Sequence, residues 1–183
     1  MEILKNAEER MNKCIESLKR ELSVLRTGRA SAAMLDNINV NYYGVPTPIN
    51  QTAQITIPEP RQLVVKPYDK SLLGDVERAI NEANIGLTPN NDGEVIRLNV
   101  PSLTEERRKE LAKKVKSFAE DAKVAVRNVR RDANDELKKA EKNNEMTEDD
   151  LKADTEEVQK LTDKKIKEVD TIASEKEKDI MTI

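Results

Sequence analysis

Residues 104–142 read TEERRKELAKKVKSFAEDAKVAVRNVRRDANDELKKAEK, with neither proline nor glycine. Leu111, Val115, Phe118, Ala122, Val129, Ala133, Leu137 and Ala140 recur at steps of three, four or seven residues, the spacing of one helical face. Thr104 is placed to cap the start. Glu105 and Glu106 follow in the first turn, where free amides and the helix dipole favour carboxylates. A helix that continues to Lys142 is about 55–60 Å long. Its apolar face is narrow and aliphatic, so it needs partners of similar length and character.

The flanking sequence supplies them. Leu4, Ala7, Met11, Cys14, Leu18, Leu22 and Leu25 predict a first helix to about Arg26, ending near Thr27 and Gly28. Cys14 lies in that stripe and reads as a small buried hydrophobe rather than a reactive thiol. On the other side, Asn143 and Asn144 mark a break. Thr147, with Asp150 three residues later, forms a capping-box pattern in which Asp replaces the usual Glu or Gln. Leu151, Val158, Leu161, Ile166, Val169, Ile172 and Ile180 give the third helix its stripe. Three long amphipathic helices, with a short turn between the last two, predict an elongated antiparallel three-helix bundle.

Proline and glycine locate what lies between the first two helices. All seven prolines fall between Pro46 and Pro101, and four of the five glycines between Gly44 and Gly93. Both residues disfavour helix interiors, proline by its missing N–H and fixed φ, glycine by its entropy. Strand-like composition at 38–43, 53–57, 62–66 and 94–100 surrounds one short helix carrying Leu72, Leu73, Val76, Ala79, Ile80 and Ala83. The fold class is therefore α+β, with residues 1–29 and 104–183 forming the bundle and 30–103 an inserted small β/α/β domain. The chain crosses between them at Thr27, Gly28 and Arg29, and again at Pro101, Ser102, Leu103 and Thr104. A permissive glycine beside a proline-stiffened return can act as a hinge; the same crossings are also compatible with rigid packing.

Composition removes several kinds of chemistry. Histidine is absent, which excludes imidazole acid–base work and His-based metal sites. One cysteine cannot make an internal disulfide or a Cys-rich zinc site. No GxG occurs, so there is neither a dinucleotide fingerprint nor a phosphate-cradling loop. Glu148, Asp149 and Asp150 sit where a helix start attracts acids, a simpler reading than a metal site. No catalytic residue, metal or cofactor is expected. No apolar run exceeds four residues and the opening lacks a secretory apolar stretch, so the expectation is a cytoplasmic protein without a membrane segment.

Charge is distributed unevenly. The net charge is -3, yet residues 104–140 carry 12 basic and 8 acidic side chains, and 141–183 carry 8 and 14. At 100° per residue, Lys109, Lys113, Lys116, Lys123, Arg127, Arg130 and Arg131 fall within an arc of about 100°, away from the apolar face. Such a stripe is either an anion-binding surface or a solvated face neutralised by acidic neighbours. Arg127, Arg130 and Arg131 span about one turn, and each planar fork can grip a phosphate through two hydrogen bonds. Contacts of this kind position a protein on folded RNA without reading its bases. No aromatic residues interleave the stripe, so it does not read as a stacking platform for an unpaired strand.

Several segments carry a family resemblance: LRTGRAS at 25–31, YYGVPTP at 42–48, PSLTEERRKEL at 101–111, VAVRNVRRDAND at 124–135 and VQKLTDKKIKEVD at 158–170. In this order and spacing the chain resembles bacterial ribosome recycling factors from end to end. Ala32, Ala33 and Met34 depart mildly, standing where some members carry a proline-containing run. The resemblance implies an L-shaped protein, with the bundle as one arm and the inserted domain as the other. It also implies a monomeric, non-enzymatic translation factor that binds the post-termination ribosome. With elongation factor G and GTP hydrolysed by that factor, it would separate the ribosomal subunits.

By the same resemblance the bundle contacts large-subunit ribosomal RNA. Arg127, Arg130 and Arg131 carry over from the VRNVRRD motif, with Lys123 beside them on the stripe. Thr27, Gly28 and Arg29 of the TGR motif lie at the interdomain joint, with Arg26 also near the RNA-facing surface. Two other classes compete with this reading. A helical adaptor or chaperone without ribosome-splitting activity would share the bundle but has no need of the three arginines. An RNA-modifying enzyme would need a catalytic constellation that the sequence lacks.

Overall fold

The computed structural model describes residues 2–181; residues 1, 182 and 183, at the ends of the expected bundle segments, lie outside the described residues. Contacts divide the chain into two compact units, one of residues 2–26 with 105–181 and one of residues 27–104. The α+β class expected from the sequence holds, a helical bundle with an inserted β-containing unit.

The first unit packs three helices, α1 (Glu2–Ser23), α4 (Glu105–Lys142) and α5 (Glu148–Met181). Two further helices of the chain, α2 (Ile49–Thr52) and α3 (Leu73–Ala83), belong to the insert. Along α1 the seam runs through Ala7, Met11, Ile15, Leu18 and Leu22. Along α4 it includes Leu111, Val115, Ala119, Ala122, Val126, Val129, Ala133, Leu137 and Ala140. Steps of three and four combine into eleven-residue intervals, as in Ala7 to Leu18, Leu111 to Ala122 to Ala133, and Val158 to Val169 to Ile180. Eleven residues over three turns is about 3.67 per turn, close to a straight α-helix, so the seams stay aligned without the left-handed winding of a heptad repeat.

Neighbouring positions differ from the sequence expectation by one step round the helix. Phe118 is half-buried at the seam edge, while Ala119 and Val126 occupy the seam itself. Cys14 is likewise half-buried beside the buried Ile15, and partial desolvation raises its thiol pKa. In α5, Leu161, Ile166 and Ile172 flank a seam that instead passes through Asp154, Val158, Thr162, Lys165 and Val169. Thr162 and Lys165 are tolerated there because their partners are local, while Asp154 Oδ2 is buried without a hydrogen-bond partner among the described residues. The Thr162 hydroxyl donates to the Val158 carbonyl at 2.8 Å, and the Lys165 ammonium reaches Glu168 at 3.6 Å.

Helix ends follow local chemistry. α1 stops at Ser23, three residues before the expected Arg26. The Ser23 hydroxyl donates to the Arg20 carbonyl at 2.7 Å, and the Leu25 N–H closes a tight turn onto Leu22 at 3.2 Å. Between α4 and α5, Asn144 adopts φ 60. The Glu145 N–H bonds the Ala140 carbonyl at 2.9 Å and the Asn144 N–H bonds that of Glu141 at 3.0 Å, a Schellman closure. The expected capping box is present and reciprocal. The Asp150 N–H donates to Thr147 Oγ1 at 3.1 Å, and the Thr147 N–H donates to Asp150 Oδ2 at 3.3 Å.

The second unit contains a hairpin of β1 (Asn39–Tyr42) and β2 (Val45–Pro48), and an antiparallel sheet ordered β3-β4-β6-β5. The sheet strands are β3 (Ala53–Glu59), β4 (Gln62–Pro67), β5 (Pro89–Asn91) and β6 (Ile96–Asn99). Alternation puts Leu63 and Val65 of β4, and Ile96 and Leu98 of β6, on one buried face beneath Val76 and Ile80 of α3. The register pairs Leu63 with Leu98 and Val65 with Ile96. β2 and β5 have no counterpart in the sequence reading, because Pro46, Pro48 and Pro89 argue against strand. Both are edge positions, where a missing ladder donor is tolerated. Tyr43 and Gly44 join β1 to β2 with φ 49 and 86, the two positive angles of a type I′ turn.

Candidate nucleic-acid interface

Val126 and Val129 are buried in the seam of α4, which fixes the orientation of the residues between and beside them. Arg127 and Arg130 emerge half-buried, and Arg131 exposed, on the flank of the helix. Among the described residues, none of these three arginines forms an ion pair. The adjacent acid, Asp132, is drawn the other way. Its Oδ2 bonds Arg10 of α1 at 2.9 Å, so its charge is offset on the opposite flank. The result is three guanidinium groups over about one turn with, among the described residues, no carboxylate paired to them.

Lys123 shares the arc but has a different environment. It forms an ion pair with Asp170 of α5 and lies 3.5 Å from Glu120, and its side chain is 16% exposed. The hydrogen bond to Asp170 is the main reason its pKa is raised. Lys123 therefore ties α4 to α5, and its charge is largely met within the protein. Lys109, further along the stripe, lies 3.7 Å from Glu105 in a solvated pair worth little. Within the stripe Lys109 and Lys123 thus have carboxylate partners, whereas Arg127, Arg130 and Arg131 form no ion pair among the described residues.

Arg26 is exposed just beyond α1 in the same unit, and Arg29 is exposed in the second unit. Thr27 and Gly28 between them are buried. Of the returning residues, Pro101, Ser102 and Thr104 are exposed and Leu103 is half-buried. Both ends of the insert are pinned to one turn. The Ala30 N–H donates to the Pro60 carbonyl at 2.7 Å, and the Val100 N–H donates to the Arg61 carbonyl at 2.8 Å. The sequence gives no sign of this shared anchor, since it joins backbone groups with no side-chain signature.

Among the described residues no group of three or more Cys, Asp or Glu is arranged to hold a metal ion, and no helix is long and apolar enough to cross a membrane. What the α4 arginines can do chemically is bind oxyanions through charge-assisted, bidentate hydrogen bonds.

Known proteins resemble this chain along its length. The sequence profile of the family described as ribosome recycling factor matches residues 18–181. The ribosome-recycling factor of Halalkalibacterium halodurans is 60% identical over 182 residues, covering 100% of this chain and 98% of that protein. That of Bacillus licheniformis is 58% identical with the same coverage. A solution structure of a ribosome recycling factor aligns with a TM-score of 0.76 at 42% identity, covering 100% of this chain and 97% of the other. A second neighbour is the T. thermophilus factor in models, with E. coli elongation factor G, of the E. coli post-termination complex. It aligns with a TM-score of 0.64 at 43% identity, covering 98% of this chain and 97% of that one. With sequence and backbone alike matched from end to end, this chain belongs to the ribosome recycling factor family.

Proposed function

We propose that this protein binds the post-termination bacterial ribosome and, with elongation factor G and the GTP which that factor hydrolyses, promotes separation of the subunits. It acts in the cytoplasm as a monomer and catalyses no reaction of its own. The observation that carries the reading is the group Arg127, Arg130 and Arg131, three arginines spanning about one helical turn and, among the described residues, without an ion pair. Their ligands are phosphates of large-subunit ribosomal RNA. Such contacts hold the bundle in place while leaving base sequence unread. Lys123 supports the same face by fixing α4 against α5, and Arg26 and Arg29 add cationic contacts at the crossings.

The bundle, residues 1–29 and 104–183, is the RNA-binding domain in this reading, and the insert, residues 30–103, is the domain that reorients. Thr27, Gly28 and Arg29, with Pro101, Ser102, Leu103 and Thr104, are the pivots. The shared anchor at Pro60 and Arg61 supports this, because it holds Ala30 and Val100 side by side and leaves any reorientation to the residues outside them. The experiment is subunit separation followed by light scattering on post-termination ribosomes. Protein, elongation factor G and GTP together should split them. Omitting the protein should abolish splitting, and the protein alone should show no GTP turnover. Intact ribosomes in the complete reaction would refute the assignment.

A further inference from the structure

We infer that the bundle carries a second phosphate-binding surface, in the groove between α1 and α5, whose ligand is the backbone of folded RNA. The inference rests on the ribosome-binding reading above and adds a surface to it. The groove holds about 420 Å3 and is lined by Ile15, Lys19, Lys164, Lys167, Glu168 and Ile172, among others. Lys164 and Lys167 sit one turn apart on α5, and Lys19 enters from α1. All three are exposed, and among the described residues none forms an ion pair. The acid in the lining, Glu168, is already engaged by Lys165, whose side chain is only 7% exposed.

Three ammonium groups thus share a groove whose one lining carboxylate is taken. Like charges held together in this way repel, and an anion between them relieves the repulsion. Buried Ile15 and half-buried Ile172 give the groove an apolar floor, on which lysine stems can lie while their heads stay in water. An open trough between two long helices suits a linear polyanion better than a small enclosed one. Lysine also suits it, since a point charge on a flexible stem tolerates varied phosphate spacing, where arginine demands a geometry. At 100° per residue, Asp170, which holds Lys123, and Lys164 lie on opposite sides of the α5 seam. The lysine groove and the arginine face therefore flank α5, and RNA held at both would grip the bundle around that helix.

The test is binding of the full-length protein to vacant bacterial large ribosomal subunits across a KCl series. Replacing Lys19, Lys164 and Lys167 together by Ala should make the slope of log K against log salt shallower by about 2–3, and Lys164→Ala alone by just under one. The triple Lys→Arg protein, which keeps the charges, should retain the wild-type slope. A wild-type slope in both alanine proteins, or equal loss in the alanine and arginine triples, overturns the inference. Arg130→Ala run in parallel separates the two ideas. If it alone weakens binding, the groove is excluded and the ribosome reading stands; if no substitution weakens binding, both fall.

Discussion

A β-carbon built on Gly28 would lie 3.1 Å from Leu103 Cγ and 3.6 Å from its Cδ1, so the two crossings of the chain meet where only a hydrogen fits comfortably. Gly28 also has φ +78, a region costly for residues with a side chain. Gly28→Ala should therefore lower the unfolding free energy by about 1–2 kcal/mol from the backbone alone, with a further loss if Leu103 cannot shift. Urea denaturation of the full chain measures it. Wild-type stability would show that this backbone relaxes freely.

The turn between α4 and α5 depends on a reciprocal pair of backbone-to-side-chain bonds at Thr147 and Asp150. Thr147→Ala removes the acceptor for the Asp150 N–H and should cost about 1 kcal/mol, while Thr147→Ser should cost much less. Thermal unfolding of the two variants side by side decides it. Equal melting temperatures would mean that the Schellman closure before the cap holds the turn unaided.

Lys123 and Asp170 join two helices near the surface, and Asp170→Asn should reduce stability at neutral pH by about 0.2–1 kcal/mol. Lys123 has its pKa raised above the ordinary 10.5, chiefly by Asp170. A raised cation stabilises the fold fully below its unfolded value and loses that contribution as pH rises through the folded one. The gap between wild type and Asp170→Asn should thus be constant from neutral pH to about 10 and close at higher pH. A gap that widens in alkali would contradict the pairing.

At the hairpin tip the Tyr43 hydroxyl donates to Asp69 Oδ2 at 2.7 Å, and Ser71 adds two further bonds to Oδ1. The Asp69 pKa is lowered from 3.8, first by Tyr43 and then by Ser71. Any stability from this group is present above pH 3.8 and lost as pH falls through its depressed value. Tyr43→Phe should move the Asp69 titration upward when followed by carboxyl NMR. An unchanged titration would assign the depression to Ser71 alone.

The three bundle helices and the fold class were legible because periodicity over tens of residues reports which face is buried, whereas the single turn of α2 (Ile49–Thr52) is too short to show a period. The exact face was less so. In α5 the eye follows Leu161, Ile166 and Ile172, whereas packing selects Thr162 and Lys165, whose polar groups find partners within the same helix. β2 and β5 were hidden by prolines that edge strands can accommodate. At the site, the arginines of α4 could be read from one helix alone. The engagement of Lys123 by Asp170, and the convergence of Lys19 with Lys164 and Lys167, required knowing which helices are neighbours. Interhelical pairing leaves no periodic trace in either helix.

The arginine face of α4 is proposed to anchor the protein to ribosomal RNA, and the affinity of Arg130→Ala for post-termination ribosomes measures that anchoring. Arg130 is half-buried and lacks an ion pair among the described residues, so the variant should keep the wild-type helical content and unfolding midpoint. Its ribosome affinity should fall, and the salt dependence of binding should become shallower by about one counterion. A folded Arg130→Ala protein with wild-type affinity and wild-type salt dependence would show that Arg130 is not an anchor.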